Sequence, residues 1–278
     1  MKQRSRHASI LLFILLLFLA VAFLTPIGIV VMNSFKGKFF ISDAPFAFPT
    51  SETQVGLKNY VDGIAKTGFF RAFGWSALIT VCSVVVIVLF SAMTGWYITR
   101  VKSRFTRFLY YALVFSMVVP FQMVMFTMSK VANLLSLDNP YGLILIYLGF
   151  GAGLSTFMFA GFVKSVPVDI EEAAMIDGCG PIRTFFSVVF PVLKPTAVTV
   201  AILNAMWIWN DYLLPLLVLD SEHYTIPIVV QSLRGSYGAV DMGAMMAMLV
   251  LAIVPIVVFY LTCQKHIIKG VVAGAVKG

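Results

Sequence analysis

Two groups of residues in this chain have types and spacings that could do chemistry. The first is acidic: of 12 carboxylates, Asp169, Glu171, Glu172 and Asp177 all fall within residues 169–177. Glu172 can offer charge-assisted hydrogen bonds to a basic or amide donor on a partner. The neighbouring Ala173 and Ala174 are small enough to let that partner come close. The second group is Asn204, Trp207 and Asp211, whose i, i+3, i+7 spacing puts them on one helical face. Carboxylate and amide suit a hydroxyl-rich ligand as hydrogen-bond partners, with an aromatic ring against its apolar face. Asp211 is also the only carboxylate inside an apolar run, where an ionisable group is costly and reads as functional. Packing against a neighbouring helix is the competing role. Gln122, beside Pro120, is a further amide in an apolar run. No nucleophile–base constellation is visible, and His7, His223 and His266 are scattered without metal-ligand spacing. Catalytic and metal sites are therefore both read as none. Cys82, Cys179 and Cys263 form no disulfide framework.

The elements that hold these residues follow from local chemistry. Over 164–195, Pro167 suits the first turn of a helix, where its missing N–H costs little. Asp169, Glu171 and Glu172 complement the positive end of that helix, and Gly178 is a left-handed stop. Pro181 opens a second short helix, and Pro191 and Pro195 close the segment. A solvated loop would look superficially similar, but the spacing is more particular than that.

Composition sets the class. The 278 residues are 60% hydrophobic and only 12% charged, with a mean hydropathy of +0.96. That apolar excess cannot be buried in one soluble core and reads as a polytopic, all-α membrane protein in a lipid bilayer. The net charge of +8 comes from basic residues flanking apolar runs, so it argues for positive-inside topology and not for nucleic acid. Six transmembrane helices are expected at about 8–32, 72–99, 108–128, 140–162, 196–219 and 242–263. The first is read as an uncleaved span, being too long for a signal h-region. The segment 164–195 is then a cytoplasmic helix–turn–helix between spans 4 and 5, with both termini cytoplasmic. Thirteen of the 20 Lys and Arg residues fall on that side. The sizeable loop at 33–70 and the loop at 220–240 lie outside.

Glu172-Ala173-Ala174, then Gly178 after three residues, then Val188-x-Phe190-Pro191 after nine more, resembles the EAA loop of ABC importer permeases. Val188 and Phe190 replace the family's usual Ile and Leu. Val119-Pro120-Phe121-Gln122, the run Leu137–Gly142, the run Trp209–Leu216 and the tail Lys269–Gly278 resemble carbohydrate permeases of that family, the second maltose-type subunit in particular. At the start of the second span the family commonly has Asn-Ser, and this chain has Trp75-Ser76.

The resemblance implies a single ABC-type-1-like transmembrane domain over 1–278 in a bacterial inner membrane. It further implies a sister permease, two cytoplasmic ATPase subunits and an extracytoplasmic sugar-binding protein. Glu172, Ala173, Ala174, Asp177, Gly178 and Pro191 would couple to the ATPase. ATP and Mg would sit on the partners, with no cofactor in this chain. The residues agree: no G-x-x-x-x-G-K-[ST] phosphate loop occurs, so energy must come from a partner or a gradient, and the chain is not an enzyme by itself. Other readings are an ion-coupled secondary transporter, for which no internal repeat is seen, and a permease for a solute such as glycerophosphate.

Overall fold

The computed structural model describes residues 6–234 and 240–275. Lys2 and Arg4 of the basic N-tail, 235–239 of the last expected loop and the tail residues Lys277 and Gly278 lie outside the described residues. Regular structure among the described residues is helical: α1 (Arg6–Asn33), α2 (Lys38–Asp43), α3 (Lys58–Thr67), α4 (Phe69–Arg100), α5 (Arg104–Ser116), α6 (Phe121–Leu134) and α7 (Pro140–Val163). There follow α8 (Asp169–Ile176), α9 (Pro181–Val192), α10 (Lys194–Trp209), α11 (Leu213–Val218), α12 (Ile226–Ser232) and α13 (Met242–Ala275). One isolated antiparallel bridge joins Lys36 and Gln54. The chain forms two compact units, Met1–Phe70 with Val229–Pro255 and Arg71–Ile228 with Ile256–Gly278.

Four helical stretches are long and apolar enough to cross a membrane: Ser9–Asn33 of α1, α4, α7, and Met242–Gln264 of α13. The two remaining expected spans are not single straight helices. The stretch 108–128 falls on α5 and α6, which meet at 109°. Pro120 occupies the N-cap of α6; its fixed φ and missing N–H end one helix and start another. The stretch 196–219 falls on α10 and α11, interrupted at residues 210–212.

In the first unit, the turn after α1 is knotted by side-chain amides. Asn59 Nδ2 donates to the Ser34 and Lys36 carbonyls at 2.8 and 2.7 Å, and Asn33 Nδ2 donates to the Pro45 carbonyl at 2.9 Å. Lys36 is buried with its Nζ on the Ala44 carbonyl at 2.9 Å, and that burial pulls its pKa down. Lys66 of α3 pairs with Asp241, just before α13.

The second unit is built around α7. Its start is capped by Asn139, whose Oδ1 accepts from the Tyr141 and Gly142 amides at 3.1 and 2.9 Å, with Pro140 at the first helical position. A Cβ on Gly142 would stand 2.2 Å from the Leu137 carbonyl oxygen. The run Leu137–Gly142 is thus a capping device with no room for a side chain. Further along, α7 meets α4 closely. A Cβ on Gly95 would lie 2.8 Å from Phe159 Cβ and 3.0 Å from the Ala160 amide nitrogen, and one on Gly151 would lie 2.7 Å from Ile87 Cδ1. Small residues let helices in lipid approach to this distance. Around the crossing, Val88 and Ala92 of α4 share a core with Phe159 and Val163 of α7.

The crossing carries a test. Gly95→Val forces the two backbones apart, at an overpacking cost of about 1–3 kcal/mol. It should lower the melting temperature of the detergent-purified protein. Gly149→Ala, where nothing lies within 4 Å of the added carbon, should leave it unchanged. Equal melting temperatures for Gly95→Val and wild type would remove the close crossing from the account.

Candidate functional site

The acidic segment folds as α8, a reversal, and α9. Three carboxylates, Asp169, Glu171 and Glu172, occupy the first turn of α8, where the helix dipole favours them. Gly178 has φ +83°. The Cys179 amide donates to the Ala174 carbonyl and the Gly178 amide to the Met175 carbonyl, both at 3.0 Å. This pair of bonds is a Schellman cap, which needs a left-handed residue at that point.

The two adjacent glutamates face opposite ways. Glu172, Ala173 and Asp177 are exposed, and beside them Ile176 and Ile182 are 87% and 71% exposed. Ala174 is buried within its own chain, so only Ala173 leaves room for an approaching partner. Glu171 is 2% exposed. Its Oε1 accepts from Arg100 Nε at 3.0 Å and Nη2 at 2.7 Å, and its Oε2 accepts from Trp96 Nε1 at 2.9 Å. Arg100 Nη2 also donates to the Val166 carbonyl at 2.9 Å. Sequence reasoning assigned Glu171 only to the helix dipole. No local signal separates it from Glu172, because the arginine that holds it closes α4, 71 residues away. A cleft of about 1230 Å³ lies beside this contact, lined by Trp96, Lys102, Arg104, Arg107, Glu172 and Met175 among others.

Pro191 and Pro195 do not close the segment as expected. Helix α9 runs through Pro191, and Pro195 sits in the first turn of α10. The break comes at Leu193, with a 79° bend between α9 and α10. Phe185–Val189 of α9 is a π turn, in which the Phe190 amide donates to the Phe185 carbonyl. One wider turn just before Pro191 accommodates a ring that lacks an N–H and would crowd an α-helical carbonyl. Phe185, Val189 and Leu193 are buried in the same core as Val88 and Phe159. The second half of the segment is therefore a packed rod, not a slack loop.

The second group of residues meets α7. Asn204 is 6% exposed and its Nδ2 donates to Ser155 Oγ at 3.1 Å and the Val200 carbonyl at 2.9 Å. The Trp207 ring stands edge-on to Tyr147 at 5.4 Å. Asp211 lies in the non-helical break and not on a continuous helix. Its Oδ1 accepts from the Leu213 and Leu214 amides at 3.1 and 3.4 Å, and its Oδ2 accepts from the Tyr147 hydroxyl at 3.0 Å. Tyr147, Gly151 and Ser155 are spaced i, i+4, i+8 on α7, and a Cβ on Gly151 would meet Asn204 Oδ1 at 2.9 Å. Asn204 and Trp207 share one face of α10 turned to α7, and Asp211 reaches α7 from the break beyond that helix. Trp207 keeps 40% exposure. Gln122 is exposed on α6, and no hydrogen bond ties it to these three. Among the described residues no group of three His, Cys, Asp or Glu could hold a metal ion.

Comparison with known proteins now has a structure to attach to. Residues 87–272 match the family described as binding-protein-dependent transport system inner membrane component. The multiple sugar-binding transport system permease protein MsmG of Streptococcus mutans is 37% identical over the full length of both chains. The probable starch degradation products transport system permease protein AmyC of Thermoanaerobacterium thermosulfurigenes is 35% identical over 93% of each. The crystal structure of a bacterial ABC transporter involved in the import of the acidic polysaccharide alginate contains a chain of the same fold. It aligns with a TM-score of 0.79, 21% identity, and coverage of 95% of this chain and 99% of that one. With two thirds of its length matched by the family and two relatives alike from end to end, this multi-pass membrane protein belongs to the inner-membrane components of binding-protein-dependent ABC transport systems.

Proposed function

We propose that the chain is a permease subunit of an ATP-driven importer of sugars or oligosaccharides, forming half of the pathway and coupling it to separate ATPase subunits. The observation that carries this reading is the outward face around Gly178, where Glu172, Met175, Ile176 and Ile182 are exposed together on a segment packed rigidly into the core. Exposed apolar residues beside a carboxylate mark a surface for a protein partner. The sugar cargo is supported by relatives named for multiple sugars and for starch degradation products. On this reading a sister permease completes the pathway, two ATPases bind ATP and Mg, and an extracytoplasmic binding protein delivers the solute. The chain works as one transmembrane domain of a bacterial inner membrane, with α8–α9 and both termini in the cytoplasm. The bent pair α5–α6 counts as the third span, and α10 with α11 as the fifth. Glu172, Ala173, Asp177 and Gly178 form the docking surface, buried Ala174 shapes it from within, exposed Pro191 stiffens the end of α9, and the chain itself performs no catalysis.

Along the pathway, Trp207 is the residue with a free surface for a sugar ring. Asn204 and Asp211 position it by fixing α10 and the break against α7. Gln122 contributes an exposed amide at the α5–α6 bend.

The orientation is checked by thiol labelling in intact cells. Cysteines introduced at 45–60 should react with an impermeant reagent, and one at Gly178 should not; external labelling at Gly178 reverses the topology.

Coupling is checked in the reconstituted complex. Glu172→Lys and Gly178→Val should each abolish sugar uptake, the first by charge reversal at the docking surface and the second by straining a φ of +83°. Membrane insertion should stay normal, and uptake at the wild-type rate in both variants would defeat the coupling role.

For Asp211 the expected outcome is structural. Asparagine keeps an acceptor for the Leu213 and Leu214 amides, so Asp211→Asn should assemble with the sister permease and transport with near-normal sugar affinity. Asp211→Ala, which leaves these groups unpaired, should cost about 1–3 kcal/mol of stability and reduce co-purification. A fall in sugar affinity with intact assembly in Asp211→Asn would instead make the carboxylate a substrate contact.

A further inference from the structure

We propose that the Arg100–Glu171 pair is a positioning contact that carries ATPase-driven movement of α8 directly into α4. The end of α4 then becomes a second mechanical output beside the route through α9 and α10. The inference rests on the coupling role proposed above.

The geometry of attachment supports it. α8 is a short helix with one inward face, and on that face the buried residues are Glu171 and Ala174. Alanine offers little grip. Glu171, by contrast, has both carboxylate oxygens engaged, and all three donors come from one turn of α4. Trp96 and Arg100 are four residues apart, so they stand on one face of that helix. The same tryptophan ring lies 5.5 Å from the Phe185 ring of α9, and the same guanidinium holds the Val166 carbonyl of the linker leading into α8. One turn of α4 therefore grips the linker, α8 and α9 together.

The pair is also placed where it can do little else. Its side chains are 18% and 3% exposed, so Glu171 has no free oxygen to offer an ATPase, whereas its neighbour Glu172 points outward. A buried ion pair with its hydrogen bonds met fixes register more than it adds stability. Arg100 supplies two donors to Glu171 Oε1 from one rigid plane, which lysine cannot reproduce. Displacement of α8 by a partner docked on its outer face must then drag the end of α4 or break the pair.

The test measures sugar transported per ATP hydrolysed in the reconstituted complex of this permease, its sister, the ATPase and the binding protein. Glu171→Gln keeps size and polarity but loses the charge. It should assemble normally, hydrolyse ATP within about twofold of wild type, and transport about tenfold less sugar per ATP, the scale of a coupling contact. Arg100→Met should do the same. The double variant should be no worse than either single one, because each residue acts through the other. Arg100→Lys, which keeps the charge but loses one of the two donors to Glu171, should give an intermediate ratio.

A wild-type ratio in Glu171→Gln would overturn the proposal. So would losses that multiply in the double variant, or uptake and hydrolysis falling in parallel, which would assign the pair to assembly alone. If Glu171→Gln yields no complex, Arg100→Lys decides: an intermediate ratio supports the inference and an unchanged one overturns it. Failure of the wild-type complex to assemble or to import any sugar would refute the coupling reading itself, and is separately visible.

Discussion

A backbone amide or carbonyl in hydrocarbon has no water to turn to, so each interruption of a helix must be answered from within the protein. That constraint shapes the whole of the second unit. At residues 210–212 the answer is Asp211, whose two oxygens take two amides and a hydroxyl. Outside the expected spans the same capping recurs, by Asn139 at the start of α7 and by Ser103 at the start of α5, which accepts from the Thr106 amide while Thr106 Oγ1 accepts from the Ser103 amide. Asp211 and Asn139 are thus occupied by backbone groups of their own chain. An acidic group at a broken helix is therefore weak evidence of substrate contact until its acceptors have been counted.

The breaks are tolerable because α7 gives them a fixed reference. Its Tyr147–Gly151–Ser155 stripe receives α10 and, at Gly151, also α4, which crosses α7 closely again at Gly95. Close crossings at small residues and edge-on aromatic contacts leave little slack. The same core that seats α7 also seats the inner side of α9, so α9 is an extension of the bundle and not an appendage.

Much of this was legible in the residues. Long apolar runs announce α1, α4, α7 and α13 because each must satisfy its backbone alone and face lipid with apolar side chains. The reversal at Gly178 was equally plain, since acidic first-turn residues and a following glycine have local causes. What sequence could not supply were the angles. Pro120 and the Asn210-Asp211-Tyr212 run were visible, but whether a helix bends or continues there depends on which neighbour satisfies the freed groups. Nor could two adjacent glutamates be ranked. Glu171 turns inward because Arg100 waits for it 71 residues away, and no local pattern contains that fact. The prolines misled for a related reason: a wider turn upstream let Pro191 sit inside a helix.

That wider turn at Phe185–Val189 has one more consequence. It sets the angular phase of everything downstream. Each residue of an α-helix advances the side chains by about 100°, so the buried stripe of Phe185, Val189 and Leu193 stays in line only for one chain length between Gly178 and the bend. The nine residues separating Gly178 from Val188 thus act as a ruler. A single insertion or deletion there would swing the exposed face of α8 and the start of α10 out of register with each other.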